Sequence, residues 1–348
     1  MGFRRSVSLI TLLILAAAGC RQSSHQPAPP AANAPAAGTS QPRPPAPQAP
    51  VSDAAPNELG RVPVLEYHVI GPKEGRWART PAAFRKDLET LYQLGFRAVS
   101  LEEYVTGNIN LPRGASPVVI TFDDATEGQF RYLEKDGKLV IDPDCAVGIL
   151  EAFHRKHPDF GLKATFFVLP DSAFGQPEYR QQKLRYLAER GLELGNHTWS
   201  HDALKRLSNA KVQEELARPQ QALAEVVPNF RFFSLALPHG IAPKEKALAH
   251  KGTWNGITYE HQAVLLVGSV PAPSPYDKDF DPQAIQRVQA TDLPEVAPFQ
   301  LSTQLKTLME KEHRRYVSDG DPNTITIPAA LKEELSPARV QGKQVKEI

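Results

Sequence analysis

An apolar run beginning at Val118 ends in Thr121-Phe122-Asp123-Asp124, and a second β-like segment ends in His197-Thr198-Trp199-Ser200-His201. Adjacent carboxylates and two imidazoles four residues apart offer the oxygen and nitrogen ligands that a divalent first-row metal takes, with one carboxylate left over as a base. Neighbours at a strand end send their side chains in different directions, so one aspartate can hold an ion while the other faces a substrate. His197 and His201 would lie about 6 Å apart on one face if their segment were helical. Each motif alone has a plain structural reading, since paired aspartates cap helices and histidines at this spacing occur in cores and on surfaces. Their joint occurrence points to metal-assisted hydrolysis, in which an attacking water loses its proton to a carboxylate while the ion polarises a carbonyl and stabilises the oxyanion.

Both motifs stand where a strand gives way to a loop, and the surrounding pattern shows what would position them. Val62 to Ile70 is apolar and β-branched enough for a buried strand, and Thr80-Pro81 opens a helix with Phe84, Leu88 and Leu91 on one face, closed by Gly95. Strands are expected over 96–101, 117–122, 163–169, 192–196, 230–237 and 263–267, and helices over 146–157, 178–190, 210–227 and 299–315. Near-continuous apolar strands alternating with helices argue for an α/β fold with a parallel sheet, closed as a barrel or doubly wound. Candidate ligands at C-terminal strand ends favour the barrel. Beyond about Pro271 the pattern dissolves, and the tail carries no functional expectation.

A formal net charge of +1 over 348 residues excludes the Lys and Arg excess that non-specific nucleic-acid binding requires. Arg4 and Arg5 precede an apolar stretch from Val7 to Ala18, too short to span a membrane, followed by Gly19 and Cys20. Ala17-Ala18-Gly19-Cys20 resembles the lipobox of bacterial lipoproteins with Ala17 in place of the usual Leu, and a plain secretory signal is the alternative. Residues 1–20 are thus expected to be a signal peptide with Cys20 lipidated, leaving the protein exported and anchored to a membrane, the outer one if the source has two. The segment 21–60, dominated by Pro, Ala, Gln and Ser, cannot offset its ordering entropy and is expected to be a disordered tether. Only two cysteines exist, so no disulfide framework is expected, and Cys145 reads as a packing residue.

Thr121-Phe122-Asp123-Asp124, His197-Thr198-Trp199-Ser200-His201 and Leu237-Pro238-His239-Gly240 together resemble the first three motifs of the NodB-like polysaccharide deacetylases, carbohydrate esterase family 4. Val64-Leu65-Glu66-Tyr67-His68 and Ala164-Thr165-Phe166-Phe167-Val168 resemble that family's first strand and the strand before its histidine motif. The resemblance implies a deformed TIM-like (β/α) barrel over residues 61–290, with 291–348 as a C-terminal extension. It implies removal of N-acetyl, occasionally O-acetyl, groups from a cell-envelope or extracellular polysaccharide. Asp123 would be the general base, and Asp124, His197 and His201 would be ligands of a divalent ion, zinc ahead of cobalt, nickel or manganese. Position 239 would offer its backbone N–H to the oxyanion.

Three departures from the family pattern carry consequences. Ala236 stands where an arginine usually pairs with the base, and Ile285-Gln286-Arg287-Val288 resembles a later segment that supplies one instead, so Arg287 is either that partner or an ordinary surface arginine. His239 replaces the customary Tyr. No Leu-x-His follows near the end of the barrel to act as general acid, which leaves Asp123 in reverse, His239, His68 or solvent to protonate the leaving amine. The same absence supports an alternative, a catalytically impaired glycan-binding lipoprotein on the same barrel.

Overall fold

The computed structural model describes residues 51–311, 314–340 and 342–348. The signal segment, Cys20 and the first part of the expected tether lie outside the described residues.

The frame is a curled sheet of parallel strands. It contains β1 (Val64–Tyr67), β2 (Phe96–Ala98), β3 (Ser116–Phe122), β4 (Thr165–Val168), β5 (Glu193–Asn196), β6 (Ser234–Ala236), β7 (Ala263–Leu265) and β8 (Val288–Gln289). Across the sheet the order is β7-β6-β5-β4-β3-β1-β8, with β2 paired to the beginning of β3. The short stretch 285–289 bridges both edges: Leu65 pairs with Val288, and Ile285 bridges Leu265 in parallel. The sheet therefore closes into the expected deformed barrel through a connector of a few residues. Gly268 makes that closure sterically possible, since a Cβ there would lie 1.7 Å from the Arg287 carbonyl oxygen.

Helices cover the sheet for the reasons their sequences suggest. In α1 (Pro81–Gln93) the Thr80 side chain accepts from the Ala83 N–H, and Phe84, Leu88 and Leu91 are fully buried. A capping box of Ser100 and Glu103 starts α2 (Leu101–Thr106), whose first residue the sequence pattern placed at the end of the strand expected over 96–101. The longer of the remaining helices are α3 (Ala146–Lys156), α4 (Arg180–Glu189), α5 (Asn209–Val226) and α6 (Leu301–Glu310). Cys145 is buried at the N-cap of α3, where its Sγ accepts from Gly148 N–H at 3.5 Å, a packing and capping position.

The folded region begins before the expected boundary at residue 61. Asn57, Glu58 and Leu59 are buried, and Asn57 bridges Val317. The C-terminal stretch supplies their partners: Glu58 accepts from Tyr316 Oη at 3.1 Å and from Thr326 N–H at 3.0 Å. Thr326 belongs to β9 (Thr324–Ile327), which pairs in parallel with β10 (Gln344–Glu347). Residues 57–60 and the tail are therefore part of the barrel's base.

Candidate active site

Each candidate side chain sits at or near a C-terminal strand end. Asp123 and Asp124 follow β3, His68 follows β1, His197 follows β5, and His239 lies just beyond β6. Glu66 projects from β1 itself, and Arg287 belongs to the closing connector. The turns that aim them are strained: Asp124, Ala125, Thr198, His201 and His239 all have positive φ, a conformation costing about 1–3 kcal/mol per residue that tends to collect at functional sites.

Asp124, His197 and His201 converge, with the Asp124 Oδ1 3.3 Å from the Nε2 of each imidazole. The histidine pair is not helical. Thr198 and His201 turn left-handed, and the loop brings the two rings to 4.9 Å between centroids. His197 Nδ1–H donates to the Ala236 carbonyl at 2.9 Å, which sets the tautomer. Its Nε2 is buried and has no hydrogen-bond partner among the described residues. A buried, unpartnered nitrogen facing a carboxylate and a second imidazole fits a divalent ion.

Behind this loop lies a buried polar scaffold. Fully buried Glu215 accepts from the N–H groups of Trp199 at 3.2 Å and Ser200 at 2.8 Å, and from Ser200 Oγ at 2.9 Å. Asn196 Oδ1 accepts from Thr198 N–H at 2.9 Å, and its amide donates to Leu216 carbonyl at 3.0 Å and lies 3.1 Å from His261 Nε2. His261, fully buried, donates its Nδ1–H to Ala249 carbonyl at 2.8 Å. Burial pushes the His261 pKa down to about 4, so at neutral pH its Nε2 is free to accept from Asn196. Groups hydrogen-bonded directly to a metal ligand typically carry about 10–100-fold in metal affinity, and His261 acts further out, through Asn196 on the Thr198 N–H. His261→Ala is accordingly expected to weaken divalent-ion binding by less than about tenfold with the fold retained, measured by competition with a chromophoric chelator.

The opposite wall is a buried charge cluster. Arg287, 0% exposed, donates Nη1–H to Asp123 Oδ1 and Nη2–H to Asp123 Oδ2, both at 2.7 Å. It also donates to Glu66 Oε1 at 2.7 Å, Thr121 Oγ1 at 3.2 Å and Leu266 carbonyl at 2.8 Å, which uses every N–H of the guanidinium. Arg287 is thus no surface residue. Burial works to raise the Asp123 pKa, but the two-pronged contact with Arg287 outweighs it and holds the carboxyl well below the usual range. Glu66 takes only one of those prongs. Burial dominates there, opposed by Arg287 and reinforced by Asp123, and its pKa is pushed up to about 7.

His68 completes this wall. One of its ring nitrogens lies within 4.8 Å of carboxylate oxygens of both Glu66 and Asp123. Burial lowers its pKa despite the two neighbouring aspartates. Gln129 ties the wall to the strand ends by donating to the carbonyls of His68 at 2.7 Å and Asp123 at 2.5 Å. His239 packs its exposed ring against His201 at 4.8 Å, and its N–H stands in the first turn of a single 3-10 segment, where helical acceptors are lacking.

Sequence reasoning assigned no role to Glu66, Gln129, Glu215 or His261. A carboxylate inside the otherwise apolar β1 was the one readable signal, because charged residues are rarely fully buried unless paired.

The polysaccharide deacetylase family profile matches residues 111–253, a span holding Asp123, Asp124, His197, His201 and His239 but not Glu66, His68 or Arg287. A chitooligosaccharide deacetylase of Bradyrhizobium sp. (strain ANU 289) is 27% identical over 128 residues, 37% of this chain and 48% of that protein. A peptidoglycan-N-acetylglucosamine deacetylase PgdA of Listeria monocytogenes is 29% identical over 100 residues, 29% of this chain and 20% of that protein. The chain therefore spans less than half the length of these relatives. Among solved structures, Streptococcus pyogenes deacetylase PplD superposes with a TM-score of 0.51 at 18% identity, covering 71% of this chain and 99% of that one. IcaB from Ammonifex degensii gives 0.50 at 19% identity, covering 73% and 97%. These two likenesses concern the fold.

Proposed function

We propose that this chain belongs to the polysaccharide deacetylase family, whose profile matches residues 111–253, and is a metal-dependent hydrolase that removes acetyl groups from the amino sugars of a polysaccharide. One observation carries the reading: a buried carboxylate, Asp123, locked in the ionised state by Arg287, faces a separate Asp124-His197-His201 cluster suited to a cation. A module that only binds glycan has no use for a desolvated, fixed base, so the same pair favours an enzyme over a binding lipoprotein.

Asp124, His197 and His201 would hold the ion, zinc being the ion best matched to two imidazoles and one carboxylate. When bound, such an ion polarises a carbonyl and makes water more acidic. Asp123 accepts the proton of the attacking water, with Arg287 fixing the direction of both carboxylate oxygens. The His239 N–H donates to the oxygen of the acetyl group as it becomes an oxyanion. His68, kept neutral by burial on the same wall, relays the proton from Asp123 to the departing amine, so that no separately stored acid is required.

Acetate release from a panel of acetylated glycans, including β-1,4-linked N-acetylglucosamine oligomers and peptidoglycan fragments, tests the activity. Release from none of them by metal-replete protein would sink it. The lipobox-like segment ending in Cys20 supports anchoring to the cell envelope of an exported protein, and Cys20→Ser is expected to shift it into a soluble exported fraction. Recovery of that variant with membranes would require another anchor.

A further inference from the structure

We infer that Trp77 is a sugar-stacking platform, binding the pyranose next to the one whose acetyl group is removed. The inference rests on the glycan reading above.

Trp77 and Arg76 form the tip of a tight turn closed by reciprocal hydrogen bonds between Gly75 and Ala78, Gly75 N–H to Ala78 carbonyl at 2.9 Å and Ala78 N–H to Gly75 carbonyl at 3.2 Å. The Trp77 carbonyl accepts from Val69 N–H at 3.0 Å, and residues 78–79 pair with 69–70. Buried Arg79 then pins the base of the turn. Its guanidinium meets Asp87 through two nitrogens at 2.6 and 2.9 Å, Glu74 at 3.1 Å and Asp292 at 2.9 Å, and Glu74 also accepts from Thr80 N–H at 2.6 Å. Asp292 follows the connector that carries Arg287, so the turn is tied to the same closing segment as the catalytic wall.

All this bonding holds in place an indole that packs on His68 and leaves part of its surface open. Trp77 is 38% exposed and Val69 beside it 37%. Single exposed apolar side chains are ordinary on a folded chain, and what sets Trp77 apart is the fixed turn that carries it and its place beside the reacting centre. The indole stacks obliquely on His68, with 4.7 Å between ring centroids, and His68 in turn reaches the Asp123 carboxylate region. The exposed ring is therefore continuous with the reacting centre rather than remote from it.

The apolar C–H face of a pyranose matches an indole, and sugar hydroxyls need donors at the rim. Arg76 is exposed and lies over the indole, its Cζ 5.1 Å from the ring centroid, so a sugar would take its place on the face and the displaced guanidinium would donate to hydroxyls from the rim. A rigid turn also avoids the ordering cost that a loose loop would incur on binding. Trp77 thus favours chains of two or more sugars over an isolated amino sugar.

The test is calorimetric titration of a β-1,4-linked N-acetylglucosamine pentamer and of a soluble peptidoglycan glycan strand into the full chain carrying Asp123→Asn to suppress turnover. The comparison is with the same protein bearing Trp77→Ala or Trp77→Phe. Trp77→Ala is expected to weaken binding of the oligomer about tenfold, the order of one aromatic stacking contact, while Trp77→Phe keeps most of it. Binding of the single sugar and of one divalent ion should be alike in all three. Equal oligomer affinity in Trp77→Ala, or binding of neither glycan by the protein with Trp77 intact, overturns the platform. Absence of acetate release by the wild-type chain would instead overturn the enzymatic reading, and leaves the binding comparison as it stands.

Discussion

Asp123→Asn is expected to retain a full equivalent of divalent ion and to lose acetate release by about 10²–10⁴-fold, the range that a positioned general base supplies. The substitution keeps the shape and one acceptor oxygen for Arg287 but sets an NH2 donor where the second oxygen met the guanidinium, and the amide cannot take a proton from water. Asp124→Asn should behave differently. Its Oδ1 is the atom equidistant, at 3.3 Å, from both imidazoles, so its loss should remove the ion together with activity. Metal content by elemental analysis beside acetate release separates the two, and equal loss of metal in both variants would contradict the division of labour between adjacent carboxylates.

Arg287→Ala should have the largest structural effect of any single change in the site. It leaves Asp123 and Glu66 buried without a counter-charge, and breaking a buried pair by removing one partner costs about 3–5 kcal/mol. The pH dependence follows from the same contact. Asp123 is held below the usual carboxylate range, so its contribution to stability is complete above an unfolded-state value of about 4 and is lost as pH falls through the depressed one. Without the guanidinium that loss moves upward, and so does the acidic limb of activity, because Asp123 must be ionised to act. Arg287→Lys should recover only part of the effect, since a point charge cannot match two parallel bonds to one carboxylate and a third to Glu66. Chemical denaturation and a pH–rate profile read the two consequences separately. Wild-type turnover with an unmoved acidic limb in Arg287→Ala would detach Arg287 from the chemistry.

Arg287 also shows what a single sequence can and cannot disclose. Its place in Ile285-Gln286-Arg287-Val288 marked it as either a partner of Asp123 or a surface cation, and only closure of the barrel through 285–289 decides between them. Parallel strands alternating with helices, the Thr80 cap of α1 and the carboxylate and imidazole motifs were legible, because periodicity and capping are local. The left-handed turns at Asp124, Thr198, His201 and His239 were not, since none of these residues is a glycine that would advertise the conformation. Residues 57–60 read as the end of a polar tether, and what folds them is a contact with the chain more than 250 residues later. Glu215 and His261 sit in a helix and beyond a hairpin that look ordinary in sequence. Their role comes from burial against the His197–His201 loop, which no spacing rule encodes.

The proposed reaction needs one cation at Asp124, His197 and His201 and one base at Asp123 to release acetate from a glycan. Stripping the protein of divalent ions, restoring zinc in steps and recording acetate release against bound metal tests it most directly. Activity should be absent in the stripped protein and rise in proportion to occupancy, reaching its limit at one ion per chain. Full acetate release from metal-free protein, or none with one ion bound per chain, would contradict the account.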